Sequence, residues 1–174
     1  MALPWGDKTV LGQVLDVLRA AEVEYVLVVT GGAREGVEEI ASATGARTVF
    51  NPEFAKKEML SSLQAGLQAL PAHAEAALIS LGDQPQIELK TVTAITAAYS
   101  QTHAALIVPS YRMRRGHPWL IARELWGQIL SMQSPQTPRD FLNERAAQIQ
   151  YVELDNASIL QDLDTPEDYM NSRK

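Results

Sequence analysis

Two short acidic segments define the chemistry open to this chain. Gly82-Asp83-Gln84-Pro85 follows directly on the apolar run Ala76–Leu81, and Asp162-Leu163-Asp164 precedes the helix start Thr165-Pro166-Glu167-Asp168. Carboxylates at strand ends, framed by Gly and Pro, suit Mg²⁺, which takes one or two carboxylates and completes its octahedron with substrate phosphate and water. The alternative for Asp83 and Asp164 is turn and capping duty, a common use of Asp. The one concentrated positive patch is Arg112-Met113-Arg114-Arg115-Gly116-His117-Pro118. Arg holds phosphate in bidentate fashion, so the segment suits an anionic substrate. As a charge run alone it reads as a solvated loop in which His117 is structural. Ser61-Ser62 open a helical pattern, where they either cap the helix or present hydroxyls and N–H groups to a ligand. Gly31-Gly32-Ala33-Arg34-Glu35-Gly36 departs from G-x-G-x-x-G spacing and reads as a strand-to-helix turn, not a nicotinamide or flavin loop. No Ser-His-Asp arrangement or His-rich metal site is visible.

These segments need a scaffold, and the apolar periodicity supplies one by switching repeatedly between helix and strand. Val10, Leu11, Val14, Leu15 and Leu18 form one stripe of a helix over Thr9–Glu22. Tyr25–Val29 is a buried-strand run. Val37, Ile40 and Ala41 mark a second helix stopped by Gly45, and Arg47–Phe50 is the next strand. Leu60, Leu63, Leu67 and Leu70 give a third helix with Pro71 just beyond it. Ala76–Leu81 is a strand, Leu89, Val92, Ile95 and Tyr99 a fourth helix, and Ala105–Pro109 another strand. This alternation predicts an open parallel α/β sheet, whose ligands sit at the carboxyl ends of the strands. Beyond Ser110 the pattern predicts a polar loop over Arg112–Pro118, a short strand Trp119–Ala122, a helix Arg123–Met132 and a strand Ile149–Leu154. Thr137-Pro138-Arg139-Asp140 and Thr165-Pro166-Glu167-Asp168 share one helix-start grammar.

Composition narrows the function classes. The length of 174 residues suits one domain, and the hydrophobic share of 46% with 21% charged is that of an ordinary globular protein. A net charge of -6 argues against nucleic acid as a partner, since binding to phosphate backbones rests on clustered Lys and Arg. There is no cysteine, which excludes disulfides and thiolate metal sites and fits a cytoplasmic setting. The start lacks a basic patch followed by an apolar run, and no apolar stretch approaches the ~20 residues of a membrane span.

The order Asn51-Pro52, Met59-Leu60-Ser61-Ser62-Leu63 with Gly66-Leu67, Gly82-Asp83-Gln84-Pro85, Arg115-Gly116-His117-Pro118 and Asp162-Leu163-Asp164-Thr165-Pro166-Glu167-Asp168 resembles the MobA-like NTP transferases, in particular the molybdenum cofactor cytidylyltransferases. Each motif alone is weak; five in order, over nearly the whole chain from Leu3-Pro4, are specific. The resemblance implies a Rossmann-like nucleotidyltransferase fold, a mostly parallel three-layer α/β sheet, in one domain over residues 1–174. It implies Mg²⁺ on Asp83 and on the D-x-D segment, with Asp164 preferred over Asp162; Asp83 and Asp164 would be the catalytic carboxylates. The nucleotide would lie against Ser61, Ser62, Leu63, Gly82, Gln84 and Pro85, and the acceptor against Arg115, Gly116, His117 and Pro118. The implied reaction is transfer of CMP from CTP to molybdopterin with release of pyrophosphate, with a molybdoenzyme as the macromolecular partner. The alternatives are guanylyl or other nucleotidyl transfer to a different phosphate acceptor, or a non-catalytic molybdopterin-binding module.

The sequence also departs from the family pattern. Family members open with a strand and a loop of the type L-A-A-G-x-S-x-R-M-G, then a lysine, then an L-P segment. Here the sequence starts at about that L-P, as Leu3-Pro4, and Lys8 lies beyond it. The loop's backbone N–H cradle for a triphosphate is therefore missing from the sequence. The expectation is a sheet without its first, internal strand, its neighbours unpaired on one edge and their apolar faces uncovered.

Overall fold

The computed structural model describes residues 2–56, 59–163 and 165–172. Strands β1 (Pro4–Trp5) and β2 (Lys8–Thr9) form a small hairpin around Gly6, whose φ of 61° only glycine adopts freely. The Thr9 hydroxyl then caps α1 (Val10–Ala20), accepting from the Gly12 N–H at 3.0 Å. The chain continues through β3 (Leu27–Thr30), α2 (Arg34–Ala43), β4 (Arg47–Phe50), α3 (Met59–Ala69), β5 (Ala76–Ile79) and α4 (Leu89–Thr102). Next come β6 (Leu106–Tyr111), β7 (Arg114–Arg115), β8 (Trp119–Ala122), α5 (Trp126–Ser131), α6 (Pro138–Glu144), β9 (Gln150–Glu153) and α7 (Pro166–Ser172). Single 3-10 turns lie at Phe54–Lys56, Arg123–Leu125, Ala146–Gln148 and Ser158–Leu160. The two Thr-Pro helix starts behave alike: Thr137 and Asp140 close a capping box, and Thr165 and Asp168 exchange the same bonds.

The layers follow from period-two alternation along the strands. Ala77 of β5, Leu106 and Val108 of β6, and Trp119 and Ile121 of β8 face the core made with Leu60, Leu63 and Leu67 of α3, Trp126 and Ile129 of α5, and Phe141 of α6. Ile107 and Leu120 face the other way, onto Ile95 of α4. On that second face α1 packs Val14 and Leu18 beside Val92 and Leu78, while Leu11 and Leu15 meet Val26, Val28 and Val37. Trp126 satisfies its one polar atom by donating from Nε1 to the Ile121 carbonyl at 3.2 Å.

The sheet differs from the parallel expectation in one respect. β3–β4 and β6–β9 are parallel, but β8 lies antiparallel between β5 and β6, and β7 pairs antiparallel with β6. The physical reason is connection length. Only Arg112–Pro118 separate β6 from β8, too few residues for the crossover that a parallel strand needs, so the chain must return alongside itself. The predicted polar loop accordingly contains the hairpin strand β7. The ladders also divide: β4–β3 stands apart from β5–β8–β6, and no ladder joins β3 to β5 among the described residues.

Candidate functional site

Three segments meet beyond the carboxyl end of β5. The loop Gly82–Pro85 comes straight off that strand. The second segment is the β7–β8 turn Arg115–Pro118, with a cis bond between His117 and Pro118. The third is the stretch from the 3-10 turn Ser158–Leu160 to Leu163. Backbone bonds hold them together: Leu163 N–H donates to the Asp83 carbonyl at 3.1 Å and His117 N–H to the Ile159 carbonyl at 3.1 Å, while Gly116 N–H ties the turn to β6 through the Pro109 carbonyl at 3.1 Å. Gln84, 1% exposed, adds a side-chain link by donating from Nε2 to Asp162 Oδ1. The acidic loop after β5 and the acidic segment before α7, 79 positions apart at Asp83 and Asp162, are thus neighbours. Asp164, the carboxylate preferred from the resemblance, lies outside the described residues.

Gly116 is the point of closest approach. A Cβ there would stand 2.2 Å from the Ile159 carbonyl oxygen and 2.7 Å from its Cβ. Only a residue without a side chain lets this turn seat against the segment that carries Asp162. His117 is half-buried, its Nε2 has no hydrogen-bond partner among the described residues, and burial pushes its imidazole down to about 4 against the opposing pull of Asp162. It is therefore neutral at pH 7. In the window from 6.5 to about 4 the unfolded chain takes up a proton that the folded chain refuses. The stability that His117 contributes is present in full above that window and is lost as the pH falls through it. His117→Gln is expected to flatten the acid limb of a Tm-against-pH curve in this range; a mutant curve parallel to wild type would refute the buried neutral imidazole.

Arg115 is held by two neighbours. Its Nε donates to the Tyr151 hydroxyl at 2.9 Å and its Nη1 to Asn143 Oδ1 at 2.9 Å, so β9 and α6 fix the guanidinium. Arg112 stacks over Tyr111, and Arg114 is exposed.

A second cluster stands at the ends of β3 and β4. Asn51 N–H donates to the Thr30 carbonyl at 2.9 Å, and its buried side chain donates from Nδ2 to Ser61 Oγ at 3.0 Å and Ser62 Oγ at 3.1 Å. The two serines therefore tie the first turn of α3 to the end of β4. Asn51, which the family resemblance marks only as part of an Asn-Pro motif, is the hub of this cluster; an Asn-Pro pair after a strand signals a turn whose side chain is engaged. Leu63 packs its side chain into the core at 7% exposure, so it supports α3 from beneath and leaves the exposed surface to its neighbours. Gly31 also has a steric reason: a Cβ there would come within 2.8 Å of Phe54 Cβ.

Among the described residues no three His, Asp or Glu side chains gather as a metal cage. Mg²⁺ needs no such cage, because one or two protein carboxylates suffice when phosphate and water complete its octahedron.

The family model of the MobA-like NTP transferase domain matches residues 1–150. The molybdenum cofactor cytidylyltransferase of Escherichia coli (strain K12) is 26% identical over 178 residues, covering 100% of this chain and 86% of that protein. A manganese complex of Rv0371C from Mycobacterium tuberculosis H37Rv superposes with a TM-score of 0.81 at 25% identity, over 98% of this chain and 89% of that one. A nucleotidyl transferase from Methanothermobacter shares the fold, with a TM-score of 0.82 at 22% identity over 99% of this chain and 82% of that one.

Proposed function

Because the chain belongs to the family of MobA-like NTP transferase domains, and with it to the nucleotidyltransferases, we propose that it transfers CMP from CTP to molybdopterin. An oxygen of the acceptor phosphate attacks the α-phosphorus, a new P–O bond forms, the bond to the β-phosphate bridge breaks, and pyrophosphate leaves. A phosphate monoester is already largely ionised at pH 7, with a second pKa of about 6, so no protein base is needed. Positioning and charge neutralisation carry the reaction. Bound Mg²⁺ would neutralise charge on the triphosphate, held by Asp83 with Asp162 or Asp164. The manganese complex of a relative supports a divalent-cation site in this fold.

The chain's own residues take the remaining roles in this reading. Gln84 holds the Asp162 carboxylate in place, and Pro85 and Gly82 shape the loop around Asp83. Ser61 and Ser62, oriented by Asn51, meet the nucleotide at the start of α3. Gly116, His117 and Pro118 form the acceptor wall, where a neutral imidazole adds a hydrogen-bonding group without competing with a cation for the phosphates. Arg115, braced by Tyr151 and Asn143, supplies positive charge at the rim. No described helix is long and apolar enough to cross a membrane; a cytoplasmic reaction delivering product to a molybdoenzyme completes the proposal.

The observation that carries the reading is the joining of the Asp83 and Asp162 segments at the end of β5. Thermal shift with CTP, GTP and ATP, each with and without Mg²⁺, tests it. A ligand at ~100 times its Kd adds about 2.7 kcal/mol, which for a chain of this size raises Tm by roughly 5–10 °C. A Mg²⁺-dependent rise largest with CTP is expected. A larger rise with GTP reassigns the base, and no rise with any nucleotide removes the nucleotide site.

A further inference from the structure

The acidic segment before α7 is pinned on its upstream side by two backbone bonds, His117 N–H to the Ile159 carbonyl and Leu163 N–H to the Asp83 carbonyl. Downstream it runs into α7, whose first turn is closed by the exchange between Thr165 and Asp168. Those bonds stiffen the helix start, but all of them lie within residues 165–168, so they do not fix α7 to the rest of the protein. Among the side chains described in α7, Tyr169 alone is buried, at 9% exposure, while Met170 beside it is 68% exposed. The Tyr169 hydroxyl donates to the Pro4 carbonyl, 165 positions away in sequence.

Pro4 is a firm anchor. It pairs with Thr9 across the β1–β2 hairpin. The Val10 N–H at the start of α1 donates to the Leu3 carbonyl at 2.9 Å, and Lys8 of the hairpin forms an ion pair with Asp16 of α1. α1 in turn buries Val10, Leu11, Val14, Leu15 and Leu18. The hairpin therefore moves with α1 and with the sheet that α1 covers. A phenylalanine at position 169 would fill the same space; the hydroxyl adds a directed bond at the tip of the ring, where a buried phenol needs a partner.

We propose that Tyr169 is a positioning residue for the divalent-cation site: its hydroxyl straps α7 to the β1–β2 hairpin and so holds the segment carrying Asp162 against the loop that carries Asp83. Leu163 and Tyr169 are six positions apart, and the closed first turn of α7 leaves little slack between them. With the strap made, the acidic segment is held at both ends. With the strap broken, α7 swings about Leu163, and the Asp162 carboxylate depends on Gln84 to keep its place. A carboxylate that wanders must be ordered again before it can share a cation with Asp83, and that ordering cost weakens the metal. The inference rests on the reading of Asp83 and the Asp162 segment as a metal site.

The test compares wild type with Tyr169→Phe, which keeps the ring and removes the hydroxyl, and with Met170→Ala as a control on the same turn. Mn²⁺ is titrated in the presence of CTP and followed by its EPR signal, well below the Tm of each variant. Tyr169→Phe is expected to raise the half-saturating Mn²⁺ concentration about fivefold, the effect of one net hydrogen bond, with unchanged stoichiometry at saturation. Met170→Ala is expected to match wild type. Amide hydrogen exchange reads the strap itself: Leu163 N–H should exchange about fivefold faster in Tyr169→Phe, while Thr44 N–H at the far end of α2 keeps its rate. Unchanged exchange at Leu163 overturns the strap. Faster exchange with an unshifted Mn²⁺ titration overturns the positioning role and leaves Tyr169 a structural tie. A wild type that binds no Mn²⁺ overturns the metal reading and the positioning role with it, and the wild-type titration alone tells that failure from the other two.

Discussion

Asp83→Asn is expected to lower Mg²⁺-dependent nucleotidyl transfer by about 100-fold or more, and to remove most of the Mg²⁺-dependent gain in CTP binding. The substitution keeps the side chain's size and its capacity to hydrogen-bond, and removes only the charge. A hard divalent cation with few protein ligands then loses one of its anionic oxygens, and a metal's stabilisation of transition-state charge is worth several kcal/mol; about 1.4 kcal/mol is a factor of ten in rate. The loop itself should survive, because its anchor to the third segment uses the backbone, Leu163 N–H to the Asp83 carbonyl. Tm without nucleotide, measured alongside, separates a lost ligand from a lost fold. Asp162→Asn should cost less, since Asp162 is exposed and one of its carboxylate oxygens already accepts from Gln84. Wild-type turnover and Mg²⁺ response in Asp83→Asn would end its assignment as a metal ligand.

How far such residues could be read from the sequence depends on which physical signal marks them. The stripe Val10, Leu11, Val14, Leu15 and Leu18 is buried throughout in α1, because helical periodicity and burial are the same fact seen twice. Arg47–Phe50 and Trp119–Ala122 are strands with the expected bounds. The direction of β8 was not legible in its residues: an apolar run of four records burial on both faces and says nothing about sense. The length of the connection before it held that information. Likewise Asp83 and Asp162 each stand out as acids beside turns, but the bonds that join their segments, Leu163 N–H to the Asp83 carbonyl and Gln84 to Asp162, pair residues far apart in sequence. Asn51 is visible only as half of an Asn-Pro motif, since its partners Ser61 and Ser62 lie in the first turn of another element. Local grammar specifies elements; the contacts that assemble a site belong to pairs distant in sequence.

Gly116 shows how much of the site depends on one such pair, and it carries the second large expected effect. Gly116→Ala should lower Tm by roughly 4–10 °C and weaken Mg²⁺-dependent CTP binding together. The added Cβ would meet a backbone carbonyl, carbon and Cβ of Ile159 at 2.2, 2.8 and 2.7 Å. None of these can swing aside as the tip of a flexible side chain would. The two backbones must part, at an overpacking cost of about 1–3 kcal/mol. Parting them also strains the Gly116 N–H bond to Pro109 or the His117 N–H bond to Ile159, each worth about 1 kcal/mol. For a chain of this size 1 kcal/mol moves Tm by ~2–4 °C. The displacement falls on Ile159, three residues before Asp162, so the carboxylate shifts relative to Gln84 and Asp83. Gly36→Ala is the contrast: a Cβ there meets nothing within 4 Å inside α2, and replacing a helical glycine should stabilise by about 0.4–1 kcal/mol. If both substitutions moved Tm alike, or if Gly116→Ala lost stability yet bound CTP and Mg²⁺ as wild type does, the contact at Ile159 would not be what seats the acidic segment against the loop after β5.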